Sequence, residues 1–582
     1  MDIPVKKNEK YIVDIIDNGY EGEGIAKIDG YTIFIQGAIK GEKCEILILK
    51  VTLSHAFGKI INIIKKSKYR VEPDCGTYKR CGGCNLRHVE YEETLNMKQR
   101  VVENLVNRNL ANINQKNKIK VLPTLGMGNP YNYRNKAQFP VGLDKEDKPV
   151  MGVFAERTHE IIPMRNCLIQ NYYSEQIANF ILGYIKQNNI SVYNEKTGKG
   201  LVRHIVIKVG VRTHEIMCVL VINGKSFEQE KHLAKSIIKE FPEVKTVVKN
   251  INMKNTNVIL GTENITLYGD GYIYDILGEY TFKISPLSFY QVNPVQAEAL
   301  YYTAIEKANL SKNDVLYDLY CGIGTIGLTA SKFVKKVYGI EIVEQAIEDA
   351  RENAKLNGIE NTEFFAGDVE KIFDKIMKEK QDYPDVVIVD PPRKGLDINT
   401  VETLLAVEAN KIVYISCNPA TMVRDMCGLS EKYEIGEIQP VDMFPFTSNV
   451  ECCAVLYLKW FHKSLIFNKI YVTINNITLW REVLMNIRKK EMYYFICILN
   501  EVFDSNDLDE KNAKVHLTRE FPECFRITFY CGEKAMTTKH IFFHTNFSLG
   551  TLTRIVLREF PNIKHAKKRK DRWNNPSVAF TS

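Results

Sequence analysis

The chain has 582 residues, of which 45% are apolar and 25% charged, and 78 basic against 70 acidic side chains give a formal net charge of +8. That length predicts about three to five domains of ordinary globular composition, which excludes disorder, collagen-like repeats and a disulfide-held miniprotein. The charge is compatible with a nucleic-acid partner without being diagnostic of one, and no window approaches the ~18–20 consecutive apolar residues of a membrane span.

The N-terminus lacks an apolar signal core, so the chain reads as cytosolic, with no membrane partner. Its 14 cysteines are therefore expected to be free thiols, metal ligands or catalytic groups rather than disulfides. In chain order, Tyr11–Ile16, Gly24–Ile28, Tyr31–Ile35, Glu42–Lys50 and Lys59–Ile64 are short runs rich in Ile, Val and Tyr, with Asp29-Gly30 as a tight hairpin. Five such strands predict a small closed barrel of the oligonucleotide-binding kind over residues 1–66. Residues 67–90 hold three cysteines and few apolar positions, as a ligand-held loop would. A helical pattern runs from Glu93 to about Leu110. Mixed elements follow, β-rich at Leu201–Val209 and Ile216–Ile222, so that 67–284 reads as a central α+β domain. Val315–Leu319, Ala346–Asn357, Val386–Val389 and Lys411–Ser416 then alternate strand and helix. That rhythm predicts a parallel, doubly wound, Rossmann-like domain over 285–460. The whole is a multidomain α/β chain. Residues 461–582, with the basic run Lys567–Lys570, carry no chemical motif and stay an unassigned extension.

The Rossmann-like stretch carries Asp318-Leu319-Tyr320-Cys321-Gly322-Ile323-Gly324-Thr325-Ile326-Gly327 between an apolar strand and a helix. Glycines at such a turn allow a tight bend and close approach of a ligand to the backbone. The next strand, Lys336–Ile340, ends at Glu341, placed to accept hydrogen bonds from ribose hydroxyls. Asp368, after Thr362–Ala366, suits an adenine amino group. The turn alone admits NAD as well as S-adenosylmethionine. The later strand ends favour the latter, with Gly322 and Thr325 as contacts of the turn. Asp390-Pro391-Pro392-Arg393 ends one strand. Amino-group methyltransferases put an aromatic where Arg393 stands, which weakens a nitrogen-methylation reading. Ile415-Ser416-Cys417-Asn418-Pro419 ends another strand, on a turn where a thiolate can act as nucleophile. Glu451 heads the strand Cys452–Leu458 and is a candidate base. Cys75, Cys81 and Cys84 form a compact thiol set. It can be completed by His88 as a zinc site or by the distant Cys167 as an iron–sulfur site, and spacing alone leaves both open.

Taken together, these motifs resemble the RNA uracil-5-methyltransferases, the bacterial 23S rRNA and tRNA m5U enzymes, over about residues 1–460. Tyr133-Arg134-Asn135-Lys136 and the run from Ser285 to Asn293 match as well. The resemblance implies a TRAM-type RNA-binding barrel and a [4Fe-4S] cluster on Cys75, Cys81, Cys84 and Cys167. It implies S-adenosylmethionine contacts from Gln291, Tyr320, Glu341 and Asp390, with Cys417 as nucleophile and Glu451 as base. Asp390 also belongs to the catalytic set, orienting the cofactor or meeting the uracil edge. One departure is Asn449, where the family usually has histidine. Barrel plus cluster favours 23S rRNA as substrate over tRNA, and a monomer is expected. A cytosine-5 methyltransferase and a non-catalytic RNA-binding factor on the same fold are the rival readings.

Overall fold

The computed structural model describes residues 3–111, 119–155 and 158–459, and three strands of the extension, Ala513–Phe521, Cys524–Cys531 and Lys534–Phe542. The chain divides into one unit over Met1–Tyr457 and a second over Leu458–Ser582. The second unit's three strands form an antiparallel sheet in chain order. The three tryptophans and the basic run Lys567–Lys570 lie outside the described residues. Among the described residues no helix is long and apolar enough to cross a membrane.

Between Lys10 and Lys65 the chain forms a six-stranded sheet. Gly24–Ile28 and Tyr31–Gln36 make the expected hairpin, and Asp29 (φ 48°) and Gly30 (φ 81°) both adopt the left-handed conformation of a two-residue turn. The strand expected over Tyr11–Ile16 ends at Asp14 in the structure, and a further short strand, Asp17–Asn18, follows a bend. Lys10–Asp14 pairs with Lys43–Val51, while Asp17–Asn18 pairs with Gly24–Ile28. The chain bends between them, where Ile15 N–H donates to Glu42 and Ile16 N–H to Ile25. A single bent segment thereby closes the sheet around Val13, Ile33, Ile35, Ile46 and Ile48.

The central region is a seven-stranded sheet running Glu263–Tyr268, Val244–Ile251, Ile216–Ile222, Val202–Val209, Lys136–Leu143, Pro149–Phe154, Ile161–Pro163 from edge to edge. Its strands Val202–Val209 and Ile216–Ile222 are buried at every position. One face packs on the helices Tyr172–Gln187 and Glu230–Glu240. The other contributes Val206, Met217, Val219 and Val248 to a core shared with the C-terminal domain.

That domain's sheet runs Thr362–Ala366, Lys336–Glu341, Val315–Leu319, Val386–Val389, Lys411–Ser416, Glu451–Leu458, Tyr433–Val441. The first five strands are parallel, and Glu451–Leu458 is antiparallel to Lys411–Ser416. Three pieces from before residue 285 pack onto this domain. The hairpin Ile273–Leu277/Tyr280–Ile284 joins its core. Val121 and Leu125 bridge to Ile438 and Val441. The helix Tyr91–Asn109 lies against the helix Pro419–Leu429. Its Lys98 ammonium, 1% exposed, pairs with the fully buried Asp442, and Tyr91 O–H donates to the same carboxylate at 2.7 Å. A buried charge is tolerated only when paired in this way.

Candidate active site

Ligands of doubly wound sheets gather at the carboxyl ends of the parallel strands. Asp390 follows Val389 and Cys417 follows Ser416 at that end. Because the strand Glu451–Leu458 runs the opposite way, with Ser416 opposite Cys452, its first residue Glu451 lies at the same end. Strand polarity thus gathers three side chains that are far apart in the chain.

Their electrostatics are mutually adverse. Glu451 is 4% exposed; burial, with Asp390 adding to it, pushes its carboxyl up to about 8, against Arg393 pulling down. Burial raises Asp390 to about 7. Burial, then Glu451 and Asp390, push the Cys417 thiol up to about 11, again opposed by Arg393. Cys417 and Glu451 therefore favour their protonated forms at neutral pH, and Arg393 favours the charged forms of both. Asn449 lies on the loop before Glu451, its N–H donating to Thr447 Oγ1 at 3.3 Å.

The glycine turn sits beside this group. Tyr320 (φ 66°) and Gly322 (φ 55°) are left-handed, and a Cβ on Gly322 would meet nothing within 4 Å, which leaves open space over the turn. Gly327 instead packs closely: a Cβ there would stand 2.9 Å from Asp318 Oδ2, which accepts the Gly327 N–H at 2.8 Å. Glu341 is held by Gly322 N–H at 3.3 Å and Val343 N–H at 3.0 Å. Asp368 caps the helix Val369–Lys380 and pairs with Lys371 at 3.2 Å; Tyr320 is close enough for Asp368 to oppose its ionisation. Thr325 opens the helix Thr325–Ser331, and Gln291 and Thr325 are both hydrogen-bond partners of the buried Tyr301 hydroxyl. Open space over a tight glycine turn and an acidic strand end fit a nucleoside-bearing methyl donor. Tyr301, on the apolar helix Pro294–Ala308, is a residue the sequence offered no signal for.

The matched motifs hold this arrangement. Asn135 donates to Gln291 O at 3.0 Å through Nδ2 and to Val292 O at 2.9 Å through its N–H. Lys208 Nζ binds Ser285 O at 2.8 Å and Ser288 O at 3.0 Å, and Ser288 Oγ donates to Asp349 at 2.6 Å. Tyr133 O–H donates to Pro445 O at 3.2 Å.

Cys75, Cys81, Cys84 and Cys167 line one cavity of about 330 Å³, together with Arg87, Arg134 and Lys136. Burial and the other three cysteines push Cys84 up to about 12, with Arg87 opposing. Arg134 Nε is buried there without a hydrogen-bond partner among the described residues. His88 does not line this cavity; its Nδ1 faces Tyr78 O–H at 2.5 Å, and burial lowers it to about 4. Among the described residues no three His, Cys, Asp or Glu side chains converge on one point as ligands of a single ion. Four thiolates that each bind a separate iron of a cubane need no such convergence, and an anionic cluster suits the surrounding cations. Four thiols around one cavity with cations beside them, and His88 outside it, are a donor set that can hold an iron–sulfur cluster.

The cysteine loop and the loop before Glu451 are tied together. Leu86 N–H donates to Phe446 O at 3.0 Å. Ser448 N–H donates to Asn85 Oδ1 at 2.8 Å, and Asn85 Nδ2 donates to Ser448 Oγ at 2.9 Å. The Arg87 guanidinium stacks over Phe446 at 4.2 Å. Phe446 is left-handed (φ 64°), a conformation that persists in a bulky residue only where its surroundings enforce it.

Sheet order, glycine turn and acidic strand end define an S-adenosylmethionine-dependent methyltransferase carrying an additional N-terminal barrel. The TRAM domain family model matches residues 4–61, and that of tRNA (Uracil-5-)-methyltransferase matches residues 214–459. An uncharacterized RNA methyltransferase of Clostridium acetobutylicum is 47% identical over 456 residues, 78% of this chain and 98% of that protein. One of Staphylococcus aureus is 45% identical over 455 residues, 78% of this chain and 99% of that protein. The chain belongs to the RNA uracil-5-methyltransferase family. Among solved structures, Pyrococcus abyssi tRNA (uracil-54, C5)-methyltransferase in complex with S-adenosyl-L-homocysteine aligns with TM-score 0.60 at 25% identity, covering 77% of this chain and 100% of that one.

Proposed function

We propose that this chain methylates C5 of a uracil in RNA through a covalent bond between Cys417 and C6. The observation that carries the reading is the gathering of Cys417, Glu451 and Asp390 at one end of the sheet, beside the glycine turn. C5 of uracil is a weak nucleophile, so the ring must first be activated. The Cys417 thiolate, favoured by Arg393, adds to C6, and the displaced π electrons form an enolate on O4. C5 then attacks the donor methyl, and the sulfonium leaves as the neutral thioether. Glu451, as carboxylate, takes the C5 proton; the electron pair re-forms the C5–C6 double bond and expels the thiolate. Asp390 orients the donor or meets the uracil edge. Reaching both ring faces requires the base to leave its stack.

Gln291, Tyr320, Gly322, Thr325, Glu341 and Asp368 are assigned to the methyl donor. Cys75, Cys81, Cys84 and Cys167 would hold a [4Fe-4S] cluster that fixes the loop docked on Phe446 and Ser448. When bound there, such a cluster would supply charge and cross-linking between the four thiolates. Residues 1–66, 67–284, 285–460 and 461–582 are taken as barrel, central domain, methyltransferase domain and extension. The barrel and the four-cysteine segment support 23S rRNA as substrate. The Pyrococcus neighbour, described as a tRNA enzyme, supports tRNA as the second reading.

Glu451→Gln should accumulate a covalent RNA–protein adduct on a denaturing gel, because addition and methyl transfer precede proton removal. General-base losses of about 10²–10⁴-fold give the adduct time to be seen. Cys417→Ala should form neither adduct nor 5-methyluridine. Turnover by Cys417→Ala, or near-normal turnover by Glu451→Gln, would overturn these roles.

A further inference from the structure

We propose that Tyr20, on the N-terminal barrel, is part of the RNA site of the methyltransferase domain: its ring stacks on a substrate base next to the target uracil, and its hydroxyl steadies the turn that carries Cys417. The inference rests on the uracil-methylation reading above and adds to it a specificity-determining residue from a different domain.

The turn between Asp17–Asn18 and Gly24–Ile28 is rigid. Gly19 N–H donates to Glu23 O at 2.7 Å, Gly22 N–H to Gly19 O at 3.1 Å, and Asn18 Nδ2 to Ala38 O at 3.0 Å. It is also docked. Asn85 Nδ2, already joined to Ser448, donates to Glu21 O at 2.8 Å. Gly22 fits so closely that a Cβ there would lie 2.8 Å from Leu86 Cδ2 and 3.4 Å from Ser448 Cβ. Barrel, cysteine loop and the loop before Glu451 therefore meet at one point, and the turn holds Tyr20 there.

Tyr20 O–H donates to Asn418 Oδ1 at 3.0 Å. Asn418 directly follows Cys417; its Oδ1 also accepts Ala420 N–H at 3.1 Å, and its Nδ2 donates to Arg393 O at 3.1 Å. Burial first, then Arg393, Cys417 and Glu451, act on the Tyr20 phenol, and with the bond to Asn418 this sets the hydroxyl beside the candidate site. With its hydroxyl so anchored the residue is still 40% exposed, and it is not among the side chains of the barrel core. A tyrosine that only sealed an interface would be buried as a residue. Withdrawing a uracil from its stack leaves its neighbours without a partner, and a fixed aromatic ring beside the site offers a sequence-tolerant replacement.

The test compares Tyr20→Leu, which removes ring and hydroxyl, with Tyr20→Phe, which removes only the hydroxyl. RNA affinity is read by titration of an RNA substrate, in the Cys417→Ala background so that no chemistry intervenes. RNA KM and kcat are read in the Cys417 enzyme. Tyr20→Leu should weaken RNA binding about 5- to 150-fold, the loss of one base–aromatic stack, while the KM for S-adenosylmethionine and the melting temperature stay unchanged. Tyr20→Phe should bind RNA as wild type and lower only kcat, because Asn418 loses one anchor. Wild-type RNA affinity in Tyr20→Leu would overturn the proposal. Equal kcat losses in both variants at unchanged RNA affinity would overturn it too, leaving the residue a mere support of Asn418. Either failure with Cys417-dependent 5-methyluridine still formed leaves the methylation reading standing; its loss in the unaltered protein would sink that reading instead.

Discussion

Glu451→Gln should make the protein more stable, by an amount that grows with pH. The Glu451 carboxyl is raised from the ordinary 4.5 to about 8, first by burial and then by Asp390. The folded state thus holds this proton more tightly than the unfolded chain does. Below the unfolded value both states are protonated and nothing is lost. As pH rises toward about 8 the unfolded carboxyl ionises while the folded one cannot, and stability falls. Above about 8 the loss levels off. At about 1.36 kcal/mol per unit, the difference between 4.5 and about 8 amounts to about 5 kcal/mol. Glutamine keeps the shape and carries no proton, so it escapes this loss. Between about pH 5.5 and 8.5 the advantage of Glu451→Gln over wild type should grow by about 3 kcal/mol, whatever fixed offset the amide introduces. Urea titrations of both proteins at the two pH values, followed by circular dichroism, measure that growth. A difference that stays constant with pH, or shrinks, would refute the assignment of Glu451 as a buried group that must lose a proton to act.

Protein purified without oxygen should be brown and contain iron and sulfide, with Cys167→Ser losing the iron and His88→Ala keeping it. One zinc without iron, retained by Cys167→Ser and released by His88→Ala, would reverse the ligand assignment. A chain ending at Lys459 should fold and methylate a short RNA, because the sheet is complete at Leu458; loss of turnover at saturating RNA would show that the extension takes part in the reaction.

The methyltransferase strands were legible because a parallel sheet covered on both faces needs unbroken apolar runs. Val386–Val389 is such a run, Val315–Leu319 is one but for Asp318 and Lys411–Ser416 one between its polar ends, and the bounds of all three in the structure coincide with those expected. The candidate catalytic residues follow directly from those ends. What escaped depends on partners remote in sequence. Asp17–Asn18 is too short to read as a strand, and its pairing exists only because the chain bends at Ile15–Ile16. The hairpin at 273–284 carries an alternating pattern that would suit either domain, and only packing assigns it to the C-terminal core. Tyr301 and Tyr20 look like an ordinary core residue and an ordinary loop residue. Their relation to Gln291 and to Asn418 arises only in three dimensions.

The Lys98–Asp442 pair joins residues 344 positions apart, and this sets a waiting time during synthesis. At about 5–20 residues added per second, Lys98 leaves the ribosome about 17 to 70 s before its counter-ion exists. Until then the helix Tyr91–Asn109 has neither that carboxylate nor the helix Pro419–Leu429 to lie against. Cys75, Cys81 and Cys84 precede Lys98 and Cys167 precedes Asp442, so all four cysteines of the cavity exist before the interval ends. Insertion of the proposed cluster therefore has the opportunity to precede the docking of this segment, and the catalytic end closes last.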